Sequence, residues 1–156
     1  MTFEDIRPYN DDEIQKAMRR IAQSPEFELV APFVYPSVPL DSVRQKLASI
    51  TTVDQLQSTL MFDLMKRIID SSISRFTYSG VEQLDPDQNY LFVSNHRDIV
   101  LDASLLAYVL FQNNRRPCQI TFGANLMENP VVVDFGKSNR MFRVERGGSP
   151  REFYAN

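Results

Sequence analysis

The chain has 156 residues, 43% hydrophobic and 24% charged, with one histidine, one cysteine and no tryptophan, which describes a globular protein with one core and excludes a disordered or disulfide-built chain. The net charge of −3 is uneven: residues 113–156 carry seven Lys or Arg against four Asp or Glu, net +3, which leaves −6 for residues 1–112. The basic end suits an anionic substrate, whereas the absence of a dense basic run or a finger spacing excludes the usual nucleic-acid modules.

The first residues are acidic and polar, without the apolar core of a secretory signal. Asn10 and Glu13 have the spacing of a capping box, Tyr9 and Ile14 that of a hydrophobic staple, and Ile14, Ala17, Met18, Ile21 and Ala22 form one apolar helical stripe that Pro25 ends. Residues 26–39, with three prolines among large apolar residues, read as a packed but irregular connector. Asp41 opens a short helix to Ile50. Thr52 and Gln55 form a second capping box, opening a long helix whose stripe is Val53, Leu56, Leu60, Leu64 and Ile68. Met61, Phe62, Met65 and Ile69 widen that apolar surface, either to pack into a helical layer or, flanked by Lys66 and Arg67, to face an acyl chain or a bilayer.

Residues 75–79 alternate as a strand, and residues 80–88 are a turn-rich connection. Residues 90–94 read as a buried strand, 99–111 as a helix, 119–122 as a strand, 130–135 as a helix and 141–144 as the last strand. Strand and helix alternating at such short spacing predict an α/β fold: an N-terminal helical segment (residues 1–74), then a largely parallel sheet with crossover helices (residues 75–156). The longest apolar run, residues 99–111, is interrupted by Asp102 and too short for the roughly 20 residues of a membrane span. Cys118 alone excludes an intrachain disulfide and a cysteine-rich zinc site, and a cytoplasmic setting fits best.

His96 stands where the strand at 90–94 gives way to the next helix, the place where open α/β sheets bind ligands. A lone histidine is more often a satisfied structural residue, so its neighbours decide. Asp98 is typed to cap the helix. Asp102 is the only charged residue between Ile99 and Gln112 and shares a helical face with Leu105, Leu106 and Val109, so it either finds a partner, His96 being the nearest, or lies on a turned-out solvated face.

The run Asn95-His96-Arg97, followed by Asp102 and an apolar helix, resembles the first motif of the glycerol-3-phosphate and lysophosphatidic acid acyltransferases, in which a histidine and an aspartate form a catalytic dyad. Five residues separate His96 from Asp102 where the family usually has four, and Asp98 is the other carboxylate near the ring. Gly123-Ala124-Asn125-Leu126, Pro130, Gly136 and Phe142-Arg143-Val144-Glu145-Arg146 follow in the order of that family's second block, with Ala124 where the family often has Asp. Together the two blocks cover residues 90–154.

The resemblance implies direct acyl transfer from acyl-CoA, acyl-carrier protein or acyl phosphate to a glycerol phosphate or lysophosphatidate hydroxyl, in phospholipid synthesis, without a cofactor or a metal. His96 is the one side chain suited to take the hydroxyl proton near pH 7, with Asp102 behind its ring. Arg146, assisted by Arg143, would hold the acceptor phosphate, and Asn95, Arg97 and Asn125 are polar candidates beside them. Turn formation accounts for the two asparagines nearly as well. Members of the family continue with a Pro-Glu-Gly motif and a later proline-bearing motif, so the resemblance also implies that this chain is incomplete and inactive alone. The rival readings are a non-catalytic lipid or acyl-carrier binding module on the same fold, and an unrelated α/β fragment with a structural histidine.

Overall fold

The computed structural model describes residues 2–145. By contact they group into two units, one made of the residues up to Leu60 together with those from Gln119, the other Met61–Cys118. Chain order had suggested a division at residue 74, whereas contacts join the N-terminal helices to the last part of the chain.

In the first unit, Thr2 and Asp5 cap the short helix α1 (Phe3–Ile6), the Thr2 amide donating to Asp5 Oδ2 at 2.7 Å. Helix α2 (Asp11–Ala22) starts at the expected capping box: the Asn10 side chain accepts from the Glu13 amide, and the Asn10 amide donates to Glu13 Oε2 at 2.9 Å. All five residues of its predicted stripe are buried. The segment read as an irregular connector is instead helix α3 (Pro25–Val34). Ser24 caps it, accepting from the Phe27 amide at 3.2 Å, and Pro25 occupies the first helical position, where a missing N–H costs nothing. The burial of Phe27, Ala31 and Val34 outweighs the internal Pro32, which deprives one carbonyl of its donor.

Helix α4 (Leu40–Ala48) lies as expected and buries Val43 and Leu47. Thr52 caps α5 (Val53–Leu56), accepting from the Gln55 amide at 3.1 Å, but the Gln55 side chain turns to the Thr51 amide, at 2.8 Å, so the second box is only half made. A π turn over Gln57–Met61 then adds a residue before α6 (Phe62–Ser72). The extra residue rotates the following turns. The buried side chains are therefore Leu56, Met61 and Met65, where an unbroken helix predicted Leu56, Leu60 and Leu64.

In the second unit Met61, Met65, Val109 and Leu110 are buried, and half-buried aromatic residues pack beside α6 and α7 (Leu101–Gln112): Phe62 stacks on Tyr108 at 5.0 Å between centroids and meets Phe111 at 5.5 Å, and Phe76 meets Tyr108 edge-on at 6.5 Å. The strands predicted at 75–79 and 90–94 do not form among the described residues. Residues 90–93 take no regular secondary structure, with Leu91 89% and Val93 86% exposed. Two strands do form, β1 (Ile120–Gly123) and β2 (Met141–Val144), parallel, with Ile120 opposite Met141 and Gly123 opposite Val144. They are joined through α8 (Pro130–Ser138), which Asn129 caps by accepting from the Val131 amide at 2.7 Å. Among the described residues the chain is thus a mixed helical fold with a two-stranded parallel sheet, smaller than the sheet with crossover helices that the sequence predicts.

Helix α8 is tied to the N-terminal helices by polar contacts that span most of the sequence. Asp134 is buried; Arg20 donates to both its oxygens, at 2.7 and 2.6 Å, and the Tyr9 hydroxyl donates at 2.9 Å. Lys137, also buried, donates to the carbonyls of Glu4 and Asp5, at 2.8 and 3.4 Å, and lies over the Tyr9 ring. The Gln57 amide donates to Asn139 Oδ1 at 2.6 Å.

Because Met18 is fully buried and Lys16 exposed on the same helix, Met18→Ala should lower the unfolding free energy by about 2–5 kcal/mol in urea titrations, and Lys16→Ala should stay within about 0.5 kcal/mol. Burial, reinforced by the Asp134 carboxylate, pushes the Tyr9 phenol up to about 12. A raised value means that its contribution is complete below the ordinary value of about 10 and is lost as pH rises toward the folded value. Unfolding midpoints across that range should fall more steeply for the wild type than for Tyr9→Phe; parallel curves would show that the phenol is not so held.

Candidate active site

The start of α7 is built by two carboxylates with separate tasks. Asp98 Oδ1 accepts from the amides of Val100 and Leu101, at 2.8 and 2.7 Å, and so caps the helix. Asp102, in the first turn, reaches back over the preceding loop: its Oδ2 accepts from the amides of Arg97, at 2.6 Å, and Asp98, at 3.0 Å. The same oxygen lies 3.3 Å from Nδ1 of His96. Of the two candidate carboxylates, it is therefore Asp102 that faces the ring.

The amide of Asp98, then that of Arg97, holds the Asp102 carboxyl below its ordinary value; partial burial opposes this and the His96 ring adds to it. Its side chain is 27% exposed and that of His96 59%, so the carboxylate is recessed behind a ring whose outer face meets solvent. This is the arrangement in which a carboxylate fixes an imidazole while leaving its far nitrogen accessible. Asn95 and Arg97 are exposed on the loop that carries the histidine.

The residues expected from the second block belong to the other unit. Asn125 is exposed in the single 3₁₀ turn Ala124–Leu126 after β1. Arg143 lies on β2 opposite Phe122, its Nη2 donating to Glu145 Oε1 at 2.8 Å, while its buried Nε has no hydrogen-bond partner among the described residues. Arg146 falls outside the described residues. Glu145 as the partner of Arg143 was not foreseen, nor was the Tyr9, Arg20 and Asp134 cluster. A signal for the cluster was present: Asp134 is a lone carboxylate between Val133 and Phe135, the same anomaly that singled out Asp102.

Among the described residues no three His, Cys, Asp or Glu side chains gather as metal ligands, and no helix is long and apolar enough to cross a membrane. No curated protein and no solved structure matches the chain. The sequence model of the Acyltransferase family matches residues 75–154, about half the chain, a span that holds the His96 corner, β1, α8 and β2. The chain belongs to the Acyltransferase family, that of the glycerol-3-phosphate and lysophosphatidic acid acyltransferases.

Proposed function

We propose that the protein transfers a fatty acyl group from acyl-CoA or acyl-carrier protein to a hydroxyl of glycerol phosphate or lysophosphatidate, with His96 as general base. The observation that carries this reading is the Asp102 carboxylate 3.3 Å from Nδ1 of a largely exposed imidazole. In the proposed reaction Nδ1–H donates to Asp102 and Nε2 takes the hydroxyl proton as the alcohol oxygen attacks the thioester carbonyl. The C–S bond then breaks, the ester forms, and the imidazolium returns the proton to the departing thiolate. No acyl-enzyme and no cofactor enters this scheme.

Arg143 and Arg146 take the acceptor phosphate, a role to which the Arg143 Nε, without a partner among the described residues, lends support as a free donor. Asn95, Arg97 and Asn125 supply further polar contacts. The exposed apolar residues on either side of the corner, Leu91 and Val93 before it and Ile99 and Val100 after it, support contact with an acyl chain. On this reading the protein is cytoplasmic and meets a membrane surface from that side.

In an active preparation, His96→Ala should lower thiol release by about 10² to 10⁴, with glycerol 3-phosphate and lysophosphatidate compared as acceptors, and leave circular dichroism unchanged. Retention of more than a tenth of the turnover would remove His96 as the base, whereas absence of thiol release from the wild type with either acceptor would favour a non-catalytic lipid or acyl-carrier binding module. Asp98→Asn should cost little turnover, because asparagine caps helices about as well as aspartate, whereas Asp102→Asn should abolish most of it. The lowered Asp102 value means that its ties are present above the ordinary carboxylate value and are lost as pH falls through the lowered one. The Arg97 and Asp98 amide resonances should thus move as pH falls below the ordinary carboxylate value of about 4, and inactivity of Asp98→Asn alone would reverse the assignment.

A further inference from the structure

The second block reaches its place through α8, and the anchor of α8 is a carboxylate to which no role has been assigned. Asp134 is buried and receives three hydrogen bonds, two from Arg20 and one from Tyr9, donors that lie more than a hundred residues earlier in the chain. One helical turn on, Lys137 is fixed by the Glu4 and Asp5 carbonyls, and its own carbonyl accepts from the Tyr9 amide at 2.9 Å. Between these two anchors sits Gly136. A Cβ there would come 3.1 Å from Met127 Cε and 3.5 Å from Met141 Sδ. Met127 directly follows the turn that carries Asn125, and Met141 opens the strand that carries Arg143. The helix therefore touches both parts of the block at its one side-chain-free position, held from the opposite end of the sequence.

We propose that Asp134 is a positioning residue for the acceptor phosphate: clamped by Tyr9 and Arg20, it sets α8 so that the Gly136 surface fixes the Asn125 turn and the Arg143 strand in their working separation. It touches no substrate and acts through Met127 and Met141. The phosphate role of Arg143 is the reading given above, and this inference rests on it; the placement of the turn and strand by the clamp does not. The clamp makes the N-terminal helices part of the binding apparatus even though none of their residues falls in residues 75–154, the span matched by the family. Arg20 is the member best suited to grade the effect, since lysine keeps its charge but cannot donate to both carboxylate oxygens in parallel.

The test uses the whole chain, with Asp134→Ala, Arg20→Lys and Tyr9→Phe compared at a temperature where circular dichroism shows each to be fully folded. Two quantities are read: the backbone amide shifts of the 120–126 and 141–144 segments, and the affinity for glycerol 3-phosphate by calorimetry, with Arg143→Ala as control. The expected result is displaced amide shifts in both segments together with about tenfold weaker binding for Asp134→Ala, and smaller changes of the same kind for the other two. Because the comparison is made on folded protein, loss of stability alone would move neither quantity. Unchanged shifts and affinity in folded Asp134→Ala would overturn the proposal. So would shifts that move while the affinity stays constant and Arg143→Ala still abolishes binding, because the clamp would then not serve the phosphate. If the wild type binds no phosphate or Arg143→Ala changes nothing, the phosphate reading fails, and the amide shifts decide the clamp: displaced in both segments it stands as the device that places them, undisplaced it falls.

Discussion

A carboxylate withdrawn from water needs donors brought to it, and the buried Asp134 meets that requirement across most of the sequence, while the half-buried Asp102 gathers its donors locally. In one unit Asp134 is met by Arg20 and Tyr9, in the other Asp102 by the amides of Arg97 and Asp98 and by the His96 ring. Hydrogen bonds to a charged group are worth about 1.5–3 kcal/mol each, and leaving the buried member of such a set unpartnered costs more than any one of them provides. The two sets differ in reach. Those on Asp134 close a span of more than a hundred residues and make the first helices and the last strand one folding unit, while those on Asp102 close five residues and need only the local loop.

That difference in reach is also what separates the legible from the illegible. Local signals were readable: the Asn10 and Glu13 box, the five-residue stripe of α2, Asp98 as a cap, the start of α8 at Pro130, and Asp102 as a carboxylate in need of a partner. Helix α3 was missed because its prolines were counted as breakers, although Pro25 after Ser24 is a helix-starting pair and Phe27, Ala31 and Val34 hold a helical period. The π turn at Gln57–Met61 had no local signature. A stripe of Leu56, Leu60 and Leu64 and one of Leu56, Met61 and Met65 are equally apolar, and only packing selects between them.

The strands show the same limit from the other side. Residues 90–93 have the composition of a buried strand, yet a strand is stabilised by its neighbours, and here no ladder satisfies its backbone groups, so Leu91 and Val93 face solvent. Residues 120–123 and 141–144 are no more β-prone, but α8 packs Gly136 against Met141 and delivers the second beside the first. Composition names candidates for a sheet, and the crossover decides which of them pair.

The phosphate role proposed for Arg143 has a physical consequence for its pair with Glu145. Its guanidinium has five N–H groups; one is spent on Glu145, and the buried Nε–H has no acceptor among the described residues. A carboxylate that used the Nε edge of the fork as well would satisfy both donors, but Glu145 is only two residues along the same strand end and takes Nη2 alone. On the reading of Arg143 as a phosphate ligand, a phosphate brings two or three oxygens and more charge than a carboxylate, and can accept from Nε and Nη2 together. Glu145 is about one-third exposed, so releasing it to water costs little, whereas the Nε donor is already withdrawn from water and would gain an acceptor. On the proposed reading the anion displaces Glu145 from Nη2 and accepts from Nε as well.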